Sequence, residues 1–315
     1  VTEVRWIFGD QLGPHFVDES DDHVVLVESS AVWRRRTYHR AKAHIVLSAM
    51  RHRARELGDR CTYRAATTYV EGVRDLGPMS VSDPTSYGAR RLVRSLGMRV
   101  EPSRGFLTSE GEFAQWVDQR SGKRLLQEDF YRFVRVRHGV LVDAGRPVGG
   151  SWNFDRDNRL PPPRKQPTLG LPPPWMPEED DIDAQVRRDI AALEGRGIRF
   201  VGDAAPREFA VTRAEALAAL DDFVTHRLPL FGPYEDAAMT EDPFLAHSRL
   251  SVPLNLGLLH PSELVAAALS AFEAGHAPLQ SVEGFIRQVI GWREYVWHLH
   301  WHLGEDYSAS NALGA

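Results

Sequence analysis

Three short stretches of the chain bring together side chains able to do chemistry. Gly9-Asp10-Gln11-Leu12 sets a carboxylate and an amide directly after an apolar run, residues 4–8, that reads as a strand. Side chains at the carboxyl end of such a strand project where open α/β sheets bind ligands. Glu28 ends a second apolar run, at residues 24–28, and belongs to the same edge. A strand-ending turn capped by Asp10 accounts for its position equally well. His247-Ser248-Arg249-Leu250-Ser251 offers two hydroxyls three residues apart around an arginine, a set suited to a phosphate at a helix N-terminus. Helix capping is the competing account, although neither serine is followed at the third position by the Glu or Gln of a capping box. Residues 282–303 carry Phe285, Gln288, Trp292, Tyr295, Trp297 and Trp301, with Arg293-Glu294 in the middle. Most aromatic stripes of this kind are core. His298 and His302 stand four apart, as metal ligands on one helical face do, but no third ligand or HExxH pattern accompanies them, and no metal site is expected.

The elements that must position these residues follow from periodicity. Short apolar runs at 4–8, 24–28, 62–65, 79–82 and 98–101 alternate with helical patterns at 38–57 and 85–96, the signature of βαβ units and a parallel sheet. A doubly wound, Rossmann-like α/β domain over residues 1–135 is therefore expected. It contains no GxGxxG or GxxxxGK[ST] loop, which argues against ordinary NAD enzymes and P-loop ATPases. Residues 110–137 read as helical, and 136–180, dense in Gly, Pro and Asn, as an interdomain connector. Beyond it the pattern is all helix, at 183–193, 212–227, 261–274 and 282–303. This predicts an all-α domain over 181–315.

Composition narrows the class of protein. At 315 residues, 43% hydrophobic and 26% charged, the chain has the make-up of a folded protein of about two domains. No apolar run approaches the length of a membrane span and no signal-peptide core follows the N-terminus, so a cytoplasmic location is expected. Cys61 is the single cysteine, which excludes an internal disulfide or a four-cysteine iron-sulfur cluster built from this sequence. The net charge of -5 averages unlike parts: residues 33–64 carry ten Lys/Arg against two acids, and residues 202–245 nine acids against three Arg. The basic stretch alone does not argue for nucleic-acid binding, because a solvated helix face looks the same.

Taken together, five ordered stretches resemble the photolyase and cryptochrome family, most closely its bacterial iron-sulfur, photolyase-related branch. They are Gly9-Asp10-Gln11-Leu12, Leu47-Ser48-Ala49-Met50-Arg51-His52, Pro147-Val148-Gly149-Gly150-Ser151-Trp152-Asn153-Phe154-Asp155, Glu283-Gly284-Phe285-Ile286-Arg287-Gln288 and Gly291-Trp292-Arg293-Glu294-Tyr295. The resemblance implies that the helical domain holds FAD, and that light-excited reduced flavin passes an electron to a pyrimidine lesion flipped out of UV-damaged DNA. It implies flavin contacts for Tyr234, His247, Ser248, Arg249, Leu250, Ser251, Phe285 and Gln288. Trp292 and Arg293 would face DNA, and Asp10, Gln11 and Glu28 a lumazine-type antenna in the first domain.

Departures from the family pattern set the remaining expectations. His247-Ser248 stands where many photolyases have Thr-Ser, Gly291 looks like an extra residue, and Val32 occupies the place of a carboxylate expected near the antenna. Asn311-Ala312-Leu313-Gly314-Ala315 falls, by resemblance, in the middle of the helical domain, so a 4Fe-4S cluster is expected only in a longer parent. The leading reading is a FAD-dependent photolyase of the (6-4) type. A cryptochrome-like light sensor and an inactive remnant are the alternatives.

Overall fold

The computed structural model describes residues 3–163 and 165–310; the stretch from Asn311 to Ala315 lies outside the described residues. The chain forms two compact units, each assembled from separated stretches: 1–105, 175–219 and 249–260 in the first, 106–174, 220–248 and 261–315 in the second.

The first unit is built on five strands: β1 (Val4–Trp6), β2 (Val24–Ser29), β3 (Cys61–Ala66), β4 (Met79–Ser82) and β5 (Arg99–Glu101). Their order is β3-β2-β1-β4-β5 and every pairing is parallel. Val24, Val25, Leu26 and Val27 are all buried, as a strand covered on both faces requires. This is the doubly wound sheet expected from sequence, and the strand order reverses between β1 and β4.

The consecutive division into 1–135, 136–180 and 181–315 is not how the units fall. The helix Asp181–Gly195 belongs to the sheet-bearing unit, where Val186, Ile190 and Leu193 join Trp33 and Leu47 of the preceding helices in one apolar cluster. Polar bonding fixes the same pairing. The Ser48 hydroxyl donates to Asp183 Oδ1 at 2.7 Å, and Arg207 Nε donates to Asp183 Oδ2 at 3.0 Å. Period and polarity make this helix look like those after it, and only its partners across the fold tell it apart.

In the second unit the expected connector is a packed part of the structure. Arg135, fully buried, donates to the carbonyls of Val140, Leu141 and Trp152, and Phe154 N–H donates to Glu283. The helical stretch expected over 110–137 is two helices, Glu110–Gln119 and Gln127–His138, because the chain turns through positive φ at Ser121 and Gly122. The long aromatic helix is also interrupted. Leu279–Ile286 and Glu294–Leu303 are α-helical, and Arg287–Arg293 between them is π-helical. A π-turn is what an α-helix forms to hold an extra residue, and Gly291 lies within it. A Cβ on Gly291 would stand 3.2 Å from the Tyr131 ring, so glycine there permits close approach of the helix Gln127–His138. Among the described residues no helix is long and apolar enough to cross a membrane.

Candidate functional site

At the carboxyl ends of β1 and β4 the first unit opens into a cleft of about 1180 Å³. This is the topological switch point, where open α/β sheets place their ligands. Asp10, just after β1, and Thr85, just after β4, meet there: the Thr85 hydroxyl donates to Asp10 Oδ2. Burial pushes the Asp10 carboxyl above its usual range, and the threonine bond opposes that shift. Phe8, Trp33, Tyr38, Tyr69 and Phe209 supply aromatic walls. Burial, with Asp10 close by, raises the Tyr69 phenol to about 12, so it stays a neutral donor at physiological pH. Arg35, Arg36, Lys42 and Arg91 stand on the lining.

Of the three residues assigned to an antenna, only Asp10 lines this cleft. Gln11 is buried, its amide donating to Ser82 O at 2.9 Å while its oxygen accepts from Phe8 N–H at 3.2 Å. It ties β1 to β4. Glu28 accepts from Tyr63 OH at 2.6 Å and from Arg51 at 2.9 Å, away from the cleft. Val32, where a carboxylate was expected, does line it. Thr85 was missed by sequence reading, though the strand-end rule that singled out Asp10 applies equally to the residues following β4.

The run His247-Ser248-Arg249-Leu250-Ser251 is divided, its first two residues in the second unit and the last three in the first. Arg249 takes a left-handed φ of 56°, sets its guanidinium 5.1 Å from the Phe209 ring centre and donates to Glu208 O at 2.8 Å. Leu250 is buried. Ser251 is exposed at the start of the short helix Ser251–Asn255, whose N-cap, Leu250, gives no side-chain bond.

In the second unit Gln288 reaches the residue that follows Tyr234. Tyr234 ends the helix Leu228–Tyr234, and the Gln288 amide meets Glu235 at 3.5 Å. Phe285, one turn before Gln288, points into the core, with its ring 4.7 Å from that of Phe223 and 5.6 Å from that of Phe231. Arg287 is shared by Asp155, Glu235 and Glu283. Burial raises the carboxyls of both Glu235 and Glu283, and Arg287 opposes the shift.

Trp292 is 45% exposed, as a stacking surface must be. Arg293 instead lies over Phe106, 4.1 Å from the ring centre, and burial lowers its pKa. Its neighbour Glu294, fully buried, accepts from Leu107 N–H, Thr108 N–H and the Thr108 hydroxyl. That hydroxyl also meets His298 Nε2 at 2.7 Å, while the imidazole stacks on Phe113. His298 is thus spent on Thr108 rather than paired with His302. The other candidate metal group, His52 with Asp180 and Asp183, is an ion-pair network: Arg55 pairs with Asp180 and Arg207 with Asp183.

A doubly wound parallel sheet with a helical unit interleaved in the same chain defines a photolyase–cryptochrome type of fold. Superposition agrees: the crystal structure of a Synechocystis sp. PCC6803 cryptochrome matches with a TM-score of 0.54 at 13% identity, over 95% of this chain and 61% of that one. The chain belongs to the deoxyribodipyrimidine photo-lyase-related protein family, whose model matches residues 5–75 and 79–209. It is 36% identical over 346 aligned residues to the (6-4) photolyase of Agrobacterium fabrum, covering 99% of this chain and 65% of that protein. The chain thus spans about two thirds of that relative's length. An uncharacterised mimivirus protein, R853, is 38% identical over a shorter stretch of 74 residues, 23% of this chain and 57% of the viral protein.

Proposed function

We propose that the chain serves light-driven repair of pyrimidine (6-4) photoproducts in DNA as the sheet-bearing and flavin-proximal part of a FAD-dependent photolyase. The observation that carries this reading is the 36% identity to a (6-4) photolyase across 99% of the chain. FAD, when bound, supplies the light-excited electron donor. The donor set suits a flavin: an amide, Gln288, lies beside the Tyr234-Glu235 turn, with the half-buried Glu235 carboxylate and the Arg287 guanidinium next to it. Tyr234, His247, Ser248 and Gln288, all of the second unit, are the residues we assign to it; Arg249, Leu250 and Ser251 fall in the first unit. Phe285 acts from within, backing the Gln288 turn against Phe223 and Phe231. Trp292 offers its exposed ring to a DNA base. The cleft holding Asp10 and Thr85 takes a light-gathering chromophore.

The test is direct. Purified protein is mixed with an oligonucleotide carrying one (6-4) photoproduct, exposed to blue light, and the products are separated by chromatography. Restored pyrimidines are expected only in the light. A flavin-loaded protein that leaves the lesion intact would overturn repair, and protein without flavin absorbance would overturn the cofactor assignment.

A further inference from the structure

We infer that the cleft at the β1–β4 switch point selects a planar ring that carries a phosphate, rather than an uncharged ribityl ring. This rests on the reading of the cleft as a chromophore site and names the chemistry of its occupant. Three observations carry it. The walls are aromatic, with Trp33 buried and Tyr38 and Tyr69 half-buried, so a flat heteroaromatic ring is accommodated. The mouth is cationic: Arg35, Arg36 and Lys42 line it, all exposed, and among the described residues none of them has a carboxylate partner. Arg36 and Lys42 both lie against the Tyr38 ring, at 4.9 and 5.7 Å from its centre, which sets their charges at the edge of the ring-binding surface.

Backbone geometry aims the charge. The helix Tyr87–Ser95 starts on the cleft wall, and a Cβ on Gly88 in its first turn would stand 4.0 Å from Arg35 Nη1. An anion there would meet the guanidinium and the positive end of the helix together. The one acid of the lining, Asp10, already accepts from Thr85, and burial weakens its ionisation. Val32, also on the lining, contributes no charge. The balance therefore favours an anion.

Flavin mononucleotide and riboflavin share one ring and differ by the phosphate, so they are the probes. Binding is followed by quenching of flavin fluorescence in the dark, without DNA, so failure of repair and failure of this inference are read separately. Flavin mononucleotide is expected to bind at least about tenfold more tightly than riboflavin, as a charge-assisted contact implies. In Arg35→Glu/Arg36→Glu the ratio of the two affinities is expected to fall to about one, and both side chains are exposed, so folding, checked by circular dichroism, should be unchanged. Equal affinities in the unaltered protein, no binding of either probe, or a preference that survives the charge reversal would each overturn the inference.

Discussion

Arg207 Nε stands 3.0 Å from Asp183 Oδ2, and both side chains are almost completely buried. Ser48 and His44 from the helix Arg40–Leu57 face the same carboxylate, while Glu215 accepts the other end of the guanidinium. These bonds, working against burial, hold the Asp183 carboxyl well below the usual carboxylate range. One buried acid thereby joins two helices and the segment that follows them.

Removing that acid should be costly. Asp183→Ala leaves a buried guanidinium short of a partner, and breaking such a pair costs about 3–5 kcal/mol. Because the folded pKa is depressed, the contribution is fully present above the unfolded value of about 4 and falls as pH drops below it. Urea unfolding at pH 7 should show the loss in the variant. The gap between variant and parent should narrow at pH 3; an unchanged gap would mean the charge is not what stabilises the contact.

A second close contact lies under the cleft. A Cβ on Gly13 would stand 2.0 Å from the carbonyl oxygen of Gly257, whose own Cβ would be 2.8 Å from Asp10 O. The φ of Gly13, -80°, suits alanine, so the obstacle is steric: the Gly257 carbonyl and, at 2.7 Å, the His15 ring. Gly13→Ala should cost about 3 kcal/mol, the upper end for overpacking. Gly195→Ala, with nothing within 4 Å, serves as the neutral control. Equal melting temperatures for the two variants would show that the segments can separate without loss.

What the sequence disclosed depends on the range of the interaction. The run Val24 to Val27 announces a buried strand by itself, and Asp10 follows from its position after the first strand. Gln11 stands in an equivalent place, yet its role is set by a carbonyl on Ser82, 71 positions away, which no local pattern encodes. The membership of the helix Asp181–Gly195 was hidden for the same reason, since it is decided by Ser48 and Arg207. Gly291 is the intermediate case. Its extra residue is visible in the sequence, but that it is taken up as a π-turn at Arg287–Arg293, leaving Phe285 in the core and Trp292 outside, is visible only in the fold.

His298 gives a prediction with a definite sign. Burial lowers its pKa to about 4. Between roughly pH 6.5 and 4 the unfolded chain takes up a proton that the folded chain refuses, so stability falls with pH across that window by up to about 3 kcal/mol. With Glu294 ionised, the single hydroxyl hydrogen of Thr108 goes to the glutamate, so the imidazole must carry its proton on Nε2. His298→Phe, which retains a ring to stack on Phe113, should show a shallower decline between pH 7 and 5 in urea unfolding. A nitrogen NMR spectrum at pH 7 showing the proton on Nδ1 would contradict the bonding scheme.

Trp292 and its neighbour Arg293 separate DNA contact from folding. The indole is 45% exposed and touches Tyr295 only edge-on at 6.5 Å, so Trp292→Ala should leave thermal stability nearly unchanged. Its loss should weaken binding of lesion-containing DNA by about 1–3 kcal/mol, the worth of one base stacked on an aromatic ring. Arg293 differs because its guanidinium covers Phe106, which itself stacks on Trp297 at 4.1 Å. Arg293→Ala uncovers that aromatic pair, and the expected effect is a lower melting temperature. If Arg293 also pairs with a phosphate in the complex, the salt dependence of DNA affinity will flatten by about one unit of slope in the variant. Fluorescence anisotropy over a salt series, run beside melting curves for both variants, reads the two effects independently. A Trp292→Ala protein with full DNA affinity would remove this face from the proposed interface.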